Sequence, residues 1–320
     1  RNWTASVSVR TANLKERASR GRKPYEEGMM RRVEPKVFLV GETRIVEEGL
    51  RAFLEHIGVP DWQSDAPTDS EKVIEVMGRL CYLSFQPGLN PNVTKIREHN
   101  DEYLGNILRV KHGSVIEHPV MNFIFADVSR VFTHELVRHR VGRSYDDRDE
   151  LKDSGLYETI VFGSGPEPNL ADGTAVSQES LRFVRFYNLG FWVPSVIAEN
   201  QKALELWLEK ALLDESYQRK LTEVLGIPGM ETFHEKKEAT SAIRRLVGMG
   251  VATNVGWSAN VRTARWCLEA RTHPGAEEEL RLGFGKLGEV VCQRYPNLFG
   301  DFTVTMEGGL PWYQPKNSKV

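Results

Sequence analysis

Basic side chains cluster near the middle of the chain, where Arg138, His139 and Arg140 follow one another. Such neighbours repel each other unless an anion lies beside them, and arginine binds phosphate through paired hydrogen bonds. The cluster runs into a segment in which arginine and aspartate alternate, Arg143–Asp149. The pattern predicts a site that holds a phosphorylated small molecule.

Further candidate side chains lie on both sides of this cluster. A single arginine is more often a solvated surface group than part of a site. However, Arg271 ends an apolar helical stretch and Arg244 precedes an apolar pair, and an arginine in such surroundings needs a carboxylate or phosphate partner. The candidates taken together are His118, Arg130, Glu135, Arg244, Asn260, Arg262 and Arg271.

Residues 283–288 spell the pattern G-x-G-x-x-G of dinucleotide-binding loops. That loop needs a strand before it and a helix after it, whereas both flanks here have a helical pattern. We therefore interpret the segment as a packed helix that tolerates glycine.

Metal and thiol chemistry have little support. The segment from His134 to His139 resembles the zinc-protease pattern H-E-x-x-H with one residue too many, which puts the two imidazoles roughly 140° apart on a helix. Cys81, Cys267 and Cys292 have neither a disulfide nor a zinc spacing. All three are expected to be packed core thiols in a reducing cytosol.

The elements that must position these residues follow from hydrophobic periodicity. A buried strand is predicted at Val37–Val40, a second strand at Val120–Val128, and a loop at Val161–Asp172. Gly248–Gly256 should interrupt the helices around it. Helices are predicted at Asp69–Phe85, Asn100–Val110, Ser129–Arg140, Ala198–Leu225, Thr232–Val247, Ser258–Ala270 and Pro274–Tyr295. The expected fold class is α+β.

Composition excludes several classes of protein. With 320 residues, 40% of them hydrophobic and 27% charged, the chain has the composition of an ordinary globular protein. A net charge of -2 argues against a general nucleic-acid binder. No apolar run approaches the roughly 18 residues of a membrane span. A cytoplasmic location is expected because the three cysteines suit a reducing cytosol.

We expect one catalytic domain over residues 36–305, with an insertion at about 157–188 and a C-terminal tail over 306–320. Residues 1–35 form a basic arm rich in arginine and serine. Both a transit peptide and a solvated tail or interface arm fit that composition, and the second interpretation is preferred.

Two groups of motifs are similar to those of the flavin-dependent thymidylate synthase (ThyX) family. The first is H-G-S-V-I-E-H at residues 112–118, followed by S-R at 129–130 and H-E-L-V-R-H-R at 134–140. The second is N-V-R at 260–262, with Arg271 beyond it. The ordered set is far more specific than R-H-R alone, and the similarity covers roughly residues 37–302.

The resemblance implies a central antiparallel sheet and a homotetramer that binds FAD and a uridine nucleotide between subunits. It also implies C5 methylation of the uracil, with carbon from 5,10-methylenetetrahydrofolate, reducing equivalents from NADPH, and no protein nucleophile.

Residue roles are carried over from the family by position. The flavin contacts are Ser114, His118, Arg138, His139, Arg140, Asn260 and Arg262. The nucleotide contacts are Arg130, Glu135, Arg244 and Arg271. Arg244 and Arg271 are the catalytic candidates, because a cation at the pyrimidine carbonyl stabilises the charge that develops as the ring is attacked. They can serve one nucleotide only if the intervening chain folds back or if they belong to different subunits.

The chain departs from the family pattern just after Arg140. Residues 143–150 replace the serine-containing stretch that usually grips the nucleotide phosphate, and one inserted residue would shift their register. Arg148 is expected to take over the phosphate, while Asp146 or Asp147 accepts a hydrogen bond from a ribose hydroxyl. The hypothesis is a member that methylates UMP, either alone or alongside dUMP, similar to the UMP/dUMP C5-methylases of polyoxin-type nucleoside antibiotic biosynthesis.

Other functions stay open at this point. Trp266 and Gly275 replace residues that are often polar or histidine near the flavin, so flavin affinity or access is expected to differ. One alternative is a housekeeping thymidylate synthase that acts on dUMP only. A second is a catalytically silent nucleotide-binding protein. A third, an RNA-binding module that uses the arginines and Trp257, is disfavoured by the net charge.

Overall fold

The computed structural model describes residues 31–93, 95–137, 174–181 and 190–320. In chain order, the strands are β1 (Arg31–Arg32), β2 (Lys36–Glu42), β3 (Val120–Ser129), β4 (Thr174–Gln178), β5 (Gly190–Phe191), β6 (Ala252–Asn260), β7 (Phe302–Glu307) and β8 (Leu310–Pro315). The helices are α1 (Glu47–His56), α2 (Asp69–Tyr82), α3 (Asn100–Arg109), α4 (Arg130–Leu136), α5 (Ser195–Ala198), α6 (Gln201–Val224), α7 (Phe233–Ile243), α8 (Val261–Thr272), α9 (Glu278–Arg294) and α10 (Pro296–Phe299). Short 3-10 helices cover Gly113–Glu117, Ile227–Gly229 and Arg244–Leu246. The predicted α+β class is confirmed.

Two compact units divide the described residues. The larger unit contains those within 35–126, 132–177 and 255–320, and the smaller unit contains those within 1–34, 127–131 and 178–254.

A four-stranded sheet in the order β2-β3-β6-β4 forms the centre of the larger unit. β2 and β3 are antiparallel, with Phe38 opposite Ile124. Side chains alternate between the two faces of a strand, so Phe123 and Phe125 of β3 are buried while Ile124 is 36% exposed. One face of the sheet therefore carries the core of this unit.

Aromatic side chains fill that core. The ring of Phe125 in β3 lies 5.1 Å from Phe132 of α4 and 5.5 Å from Phe284 of α9, and Trp257 of β6 lies 5.8 Å from Phe284. These contacts fix α4 and α9 against the sheet, which places Glu135 relative to β6 and the helix that follows it.

The glycine pattern at 283–288 lies entirely inside α9, so the prediction of a packed helix is confirmed. Glycine is required there for space. A Cβ on Gly283 would stand 2.6 Å from Phe132, and one on Gly288 would stand 2.4 Å from Tyr313 of β8. The pattern serves helix packing against a neighbouring helix and strand.

Two local predictions are wrong. Val37–Val40 lies within a strand, but β2 is at the edge of the sheet, and Phe38 and Val40 are 50% and 59% exposed. The helix predicted from Ser258 instead begins at Val261, because residues up to Asn260 continue strand β6.

The longer helical patterns are confirmed with small shifts at their ends: α2, α3, α6, α7 and α9 each lie within the predicted spans. The predicted helix at Ser129–Arg140 is described only as far as Val137, where it contains α4. Helix α1 and the hairpin β7–β8, which includes residues placed in the C-terminal tail, were not predicted. The loop at Val161–Asp172 lies outside the described residues, while Thr174–Gln178 of the expected insertion forms β4.

The smaller unit has an apolar core of its own. β1 and β5 pair in parallel, and Phe191 of β5 packs with Ala211 of α6 and Val251. Ile227 and Ile243 form a second cluster near the ends of α6 and α7. No helix among the described residues is long and apolar enough to cross a membrane.

Candidate functional site

Arg262 lies in the first turn of α8 and is held by contacts that are distant in sequence. Its Nη1 lies 2.6 Å from Oε1 of Glu117, and its Nε donates a hydrogen bond of 2.7 Å to the backbone carbonyl of Val320. The guanidinium passes over Gly113, where a Cβ would stand 2.7 Å from Cζ. The side chain is 41% exposed, yet its direction is fixed from three sides.

The 3-10 helix Gly113–Glu117 carries the predicted flavin contact Ser114 and ends at His118. Ser114 and His118 are exposed, whereas Val115 and Ile116 between them are buried. The buried pair anchors this turn, so the hydroxyl and the imidazole are accessible on a segment whose Gly113 and Glu117 lie against Arg262.

Asn260 ends β6 and caps α8. Its side-chain oxygen accepts a hydrogen bond of 2.8 Å from the backbone nitrogen of Thr263, which satisfies one of the first N–H groups of the helix. The residue is 8% exposed. Its oxygen has this structural use, so the amide nitrogen is the group that can donate to a cofactor.

Arg271 lies in the last turn of α8 and faces Glu135 of α4. Its Nη1 is 3.7 Å from Oε2 of Glu135, longer than a hydrogen bond, and its Nη2 donates to the backbone carbonyl of Glu135 at 3.5 Å. The two side chains are 21% and 30% exposed. The carboxylate partner that the sequence required for Arg271 is therefore present, and it acts mainly through its charge.

Burial makes two of the three cysteines poor nucleophiles, because it raises the pKa of their thiols. Cys267 of α8 is fully buried, and burial raises the pKa of its thiol far above the usual range, although the charge of Arg271 opposes this. Burial also raises the pKa of Cys292 to about 11. The prediction of a core thiol is wrong for Cys81, which is exposed because the last turn of α2 lies at the surface, where Tyr82 is 50% exposed.

Two candidate arginines lie in the smaller unit. Arg130 begins α4, and its Nη2 donates a hydrogen bond of 3.1 Å to the backbone carbonyl of Glu179. Burial lowers the pKa of Arg130, the charge of Glu179 opposes this, and the positive charge of Arg244 lowers it further. Two neighbouring cations, one of them half-buried, form an environment that attracts an anion, although Glu179 supplies part of that negative charge.

Several predicted site residues lie outside the described residues. They are Arg138, His139, Arg140, Asp146, Asp147 and Arg148. Of the two positions expected to alter the flavin environment, Trp266 is 37% exposed on α8, and Gly275 lies in the turn after that helix.

The sequence did not identify Glu117, Gly113 or Glu179 as site residues. Glu117 meets Arg262 across 145 positions, and Glu179 meets Arg130 across 49. No periodicity links such pairs, so a single sequence contains no signal for them. Gly113 could have been suspected, because a glycine in front of a candidate motif often permits a close approach.

The donors around Gly113 suit an anionic cofactor with many acceptors, such as FAD. A guanidinium, a hydroxyl and an amide lie on elements of one unit, and the lack of a Cβ at Gly113 lets the guanidinium of Arg262 lie against the turn that carries Ser114. Among the described residues, no group of three or more His, Cys, Asp or Glu side chains is placed to hold a metal ion.

The sequence model of the thymidylate synthase complementing protein family (Thy1) matches residues 64–297. The chain belongs to this family, whose curated relatives are named flavin-dependent thymidylate synthases. The family predicted from the motifs is confirmed, and with it the class of protein, a methyltransferase enzyme.

Curated relatives are moderately similar over most of their length. The flavin-dependent thymidylate synthase of Corynebacterium diphtheriae is 27% identical over 252 residues, which is 77% of this chain and 84% of the relative. The probable flavin-dependent thymidylate synthase of Mycobacterium phage D29 is 28% identical over 267 residues, 83% of this chain and 95% of the relative.

Solved structures support the fold. Crystal structures of the UMP/dUMP methylase PolB from Streptomyces cacaoi, bound with 5-Br UMP and with 5-Br dUMP, match with TM-scores of 0.51 and 0.53. Each match covers 85% of this chain, with 95% and 96% of the other chain, at 12% and 14% identity. At this identity the likeness concerns the fold alone.

Proposed function

We propose that this chain catalyses flavin-dependent C5 methylation of a uridine monophosphate. The observation that carries the proposal is the family match over residues 64–297, a span that contains every candidate site residue from Ser114 to Arg271. The names of the curated relatives support the reaction, and the name of PolB, a UMP/dUMP methylase, supports the class of substrate.

The cofactor set of the proposal is FAD, NADPH and 5,10-methylenetetrahydrofolate. When bound, FAD passes reducing equivalents from NADPH, and the folate supplies the carbon. Ser114, His118, Asn260 and Arg262 would hold FAD, together with Arg138, His139 and Arg140. A guanidinium held from three sides supports this role, because a fixed donor loses little freedom on binding.

The nucleotide would be held by Arg130, Glu135, Arg244 and Arg271. The arginines neutralise the phosphate and stabilise charge at the pyrimidine carbonyl, and Glu135 orients Arg271 through its charge. The raised pKa values of Cys267 and Cys292 agree with a reaction in which no protein thiol attacks the base.

The sugar preference is proposed to include UMP alongside dUMP. Asp146 or Asp147 would accept a hydrogen bond from the ribose 2′-hydroxyl, and Arg148 would bind the phosphate. The alternative, a thymidylate synthase that acts on dUMP only, is favoured by the names of the curated relatives.

Assembly into a homotetramer is part of the proposal. The outer face of the sheet in the larger unit supports it, because Phe38, Val40 and Ile124 are 50%, 59% and 36% exposed there. Neighbouring exposed apolar side chains on one face are typical of a surface that another subunit covers.

Purification and steady-state rates test the proposal. A yellow protein with a flavin spectrum is expected, and a colourless one that FAD cannot reconstitute would contradict a flavoenzyme. The methylation rate on dUMP is expected to exceed the rate on UMP by less than about a hundredfold, because the carboxylate of Asp146 or Asp147 would give the buried ribose 2′-hydroxyl an acceptor. A larger preference for dUMP would establish the alternative.

A further inference from the structure

The pair of Glu117 and Arg262 is better suited to orienting a side chain than to stabilising the fold. Their side chains are 44% and 41% exposed, and ion pairs at such exposure contribute little to stability. Nevertheless Oε1 and Nη1 lie 2.6 Å apart, and Glu117 stands in the same short helix as Ser114.

Gly113 adds an independent constraint on the same guanidinium. A Cβ at this position would stand 2.7 Å from both Cζ and Nε of Arg262, and 2.9 Å from Nη2. These atoms form the end of a flexible side chain, so an added methyl group would displace the guanidinium while the backbone stays in place. Gly113 thus permits one particular position of Arg262.

We infer that Glu117 is a positioning residue, whose carboxylate, in the space left by Gly113, sets the direction in which Arg262 meets the flavin cofactor. The inference rests on the proposed function. It assigns Glu117 no contact with the reacting atoms, and it identifies the cofactor by its chemistry, an anionic flavin dinucleotide with many hydrogen-bond acceptors.

Charge alone predicts the opposite effect, which makes the inference testable. Removing a carboxylate beside a binding site for an anion strengthens binding through Coulomb's law. If Glu117 orients Arg262, its removal weakens binding even though the site becomes more positive.

FAD titration of the flavin-free protein measures this directly. Glu117→Ala is expected to raise the Kd for FAD by about tenfold, on the scale of one hydrogen bond to a charged group. Glu117→Gln keeps a neutral acceptor and is expected to recover part of the affinity. Equal or tighter FAD binding by Glu117→Ala would overturn the inference.

Gly113→Ala tests the geometry without changing any charge. It is expected to weaken FAD binding with Glu117 intact, and a crystal structure of the flavin-free variant should show the guanidinium displaced from the wild-type position. Gly105→Ala in α3 is the matched control, since nothing lies within 4 Å of its Cβ position. Wild-type affinity in Gly113→Ala, or an unmoved guanidinium, would overturn the inference.

A second control separates positioning from stability. Glu42→Ala removes the acceptor of both Arg294 and the buried Tyr295 hydroxyl in the same unit, and because Glu42 is only 16% exposed the change should lower the melting temperature with FAD affinity unchanged. Wild-type protein that fails to bind FAD would overturn the proposed function as well. With wild-type binding intact, unchanged affinities in the Glu117 and Gly113 variants would overturn this inference alone.

Discussion

The arginines proposed for the nucleotide carry their charges in different surroundings. Arg271 has a carboxylate, Glu135, at 3.7 Å, whereas Arg244 lies close enough to Arg130 to lower its pKa. In the second case the charge of Glu179 offsets part of the repulsion between the two cations, and a bound phosphate would offset more of it. At the scale of single residues, Arg244 is therefore expected to contribute through charge and direct hydrogen bonds.

Neighbouring arginines offer a matched test of Arg244. Arg244→Ala should lower kcat/KM for the nucleotide by about ten- to a hundredfold, the cost of losing a hydrogen bond to a charged group. Arg245→Ala should stay within about twofold, because Arg245 is exposed and donates to the backbone carbonyl of Ser241. Steady-state kinetics would contradict the assignment if both variants lost the same activity.

At the scale of elements, helix α8 connects the two proposed ligand sets of the larger unit. Arg262 lies in its first turn and Arg271 in its last, nine residues or about 14 Å apart along the axis. Strand β6 leads into the helix through Asn260, whose side chain is both cap and candidate donor. A change of Asn260 therefore affects stability through its side-chain oxygen, which caps the helix, and ligand binding through its amide nitrogen.

Two substitutions of Asn260 separate these roles. Asn260→Asp keeps an oxygen for the cap but removes the amide donor, so the melting temperature should hold while FAD affinity falls. Asn260→Ala should lose both the helix cap and the amide donor, and losing the cap should cost about 1 kcal/mol of stability. Thermal unfolding and FAD titration give the two readouts, and full FAD affinity in Asn260→Asp would exclude the amide as a ligand.

The glycines of α9 are predicted to affect packing alone. Gly283→Ala would place a Cβ 2.6 Å from the fully buried Phe132, and such overpacking costs about 1–3 kcal/mol. Thermal unfolding should show this loss, while the KM for NADPH stays unchanged because the segment is not a dinucleotide loop. A raised KM with unchanged stability would show instead that the glycine pattern binds a ligand.

Sequence patterns predicted elements where one period persists over a long stretch, as in α2, α3 and α9. Strand β6 was missed because its alternation is short and runs directly into a helix: Val255, Trp257 and Ala259 are buried, yet Asn260 already caps α8. The residue types in the sequence, arginines beside apolar side chains, also identified arginines that need anionic partners. It could not choose those partners among 44 acidic residues, because only the folded chain brings Glu117 to Arg262.

At the scale of the whole molecule, assembly is the property that a single chain shows only indirectly. Edge strand β2 was predicted to be buried and instead exposes Phe38 and Val40. The prediction that this apolar strand is buried would hold in the assembled protein if a second subunit covers this face. The sequence thus predicted an apolar environment, while the described chain supplies only part of it.

Charge placed on that face should interfere with assembly. Phe38→Glu is expected to shift the mass measured by light scattering toward smaller species, with little loss of secondary structure because the side chain is already 50% exposed. Val304→Glu in the β7–β8 hairpin, at 48% exposure, is the matched control. An unchanged mass for Phe38→Glu would remove this face from the proposed interface.

Release of tritium from C5-tritiated UMP and dUMP measures flavin-dependent methylation directly, because C5 methylation must replace that hydrogen. Tritium release to water and a C5-methylated product are expected when FAD, NADPH and 5,10-methylenetetrahydrofolate are all present, and neither is expected when FAD is omitted from the flavin-free protein. If the protein with FAD bound releases no tritium and forms no product from either nucleotide, the proposed reaction is contradicted. Methylation that proceeds equally well without flavin would contradict it too.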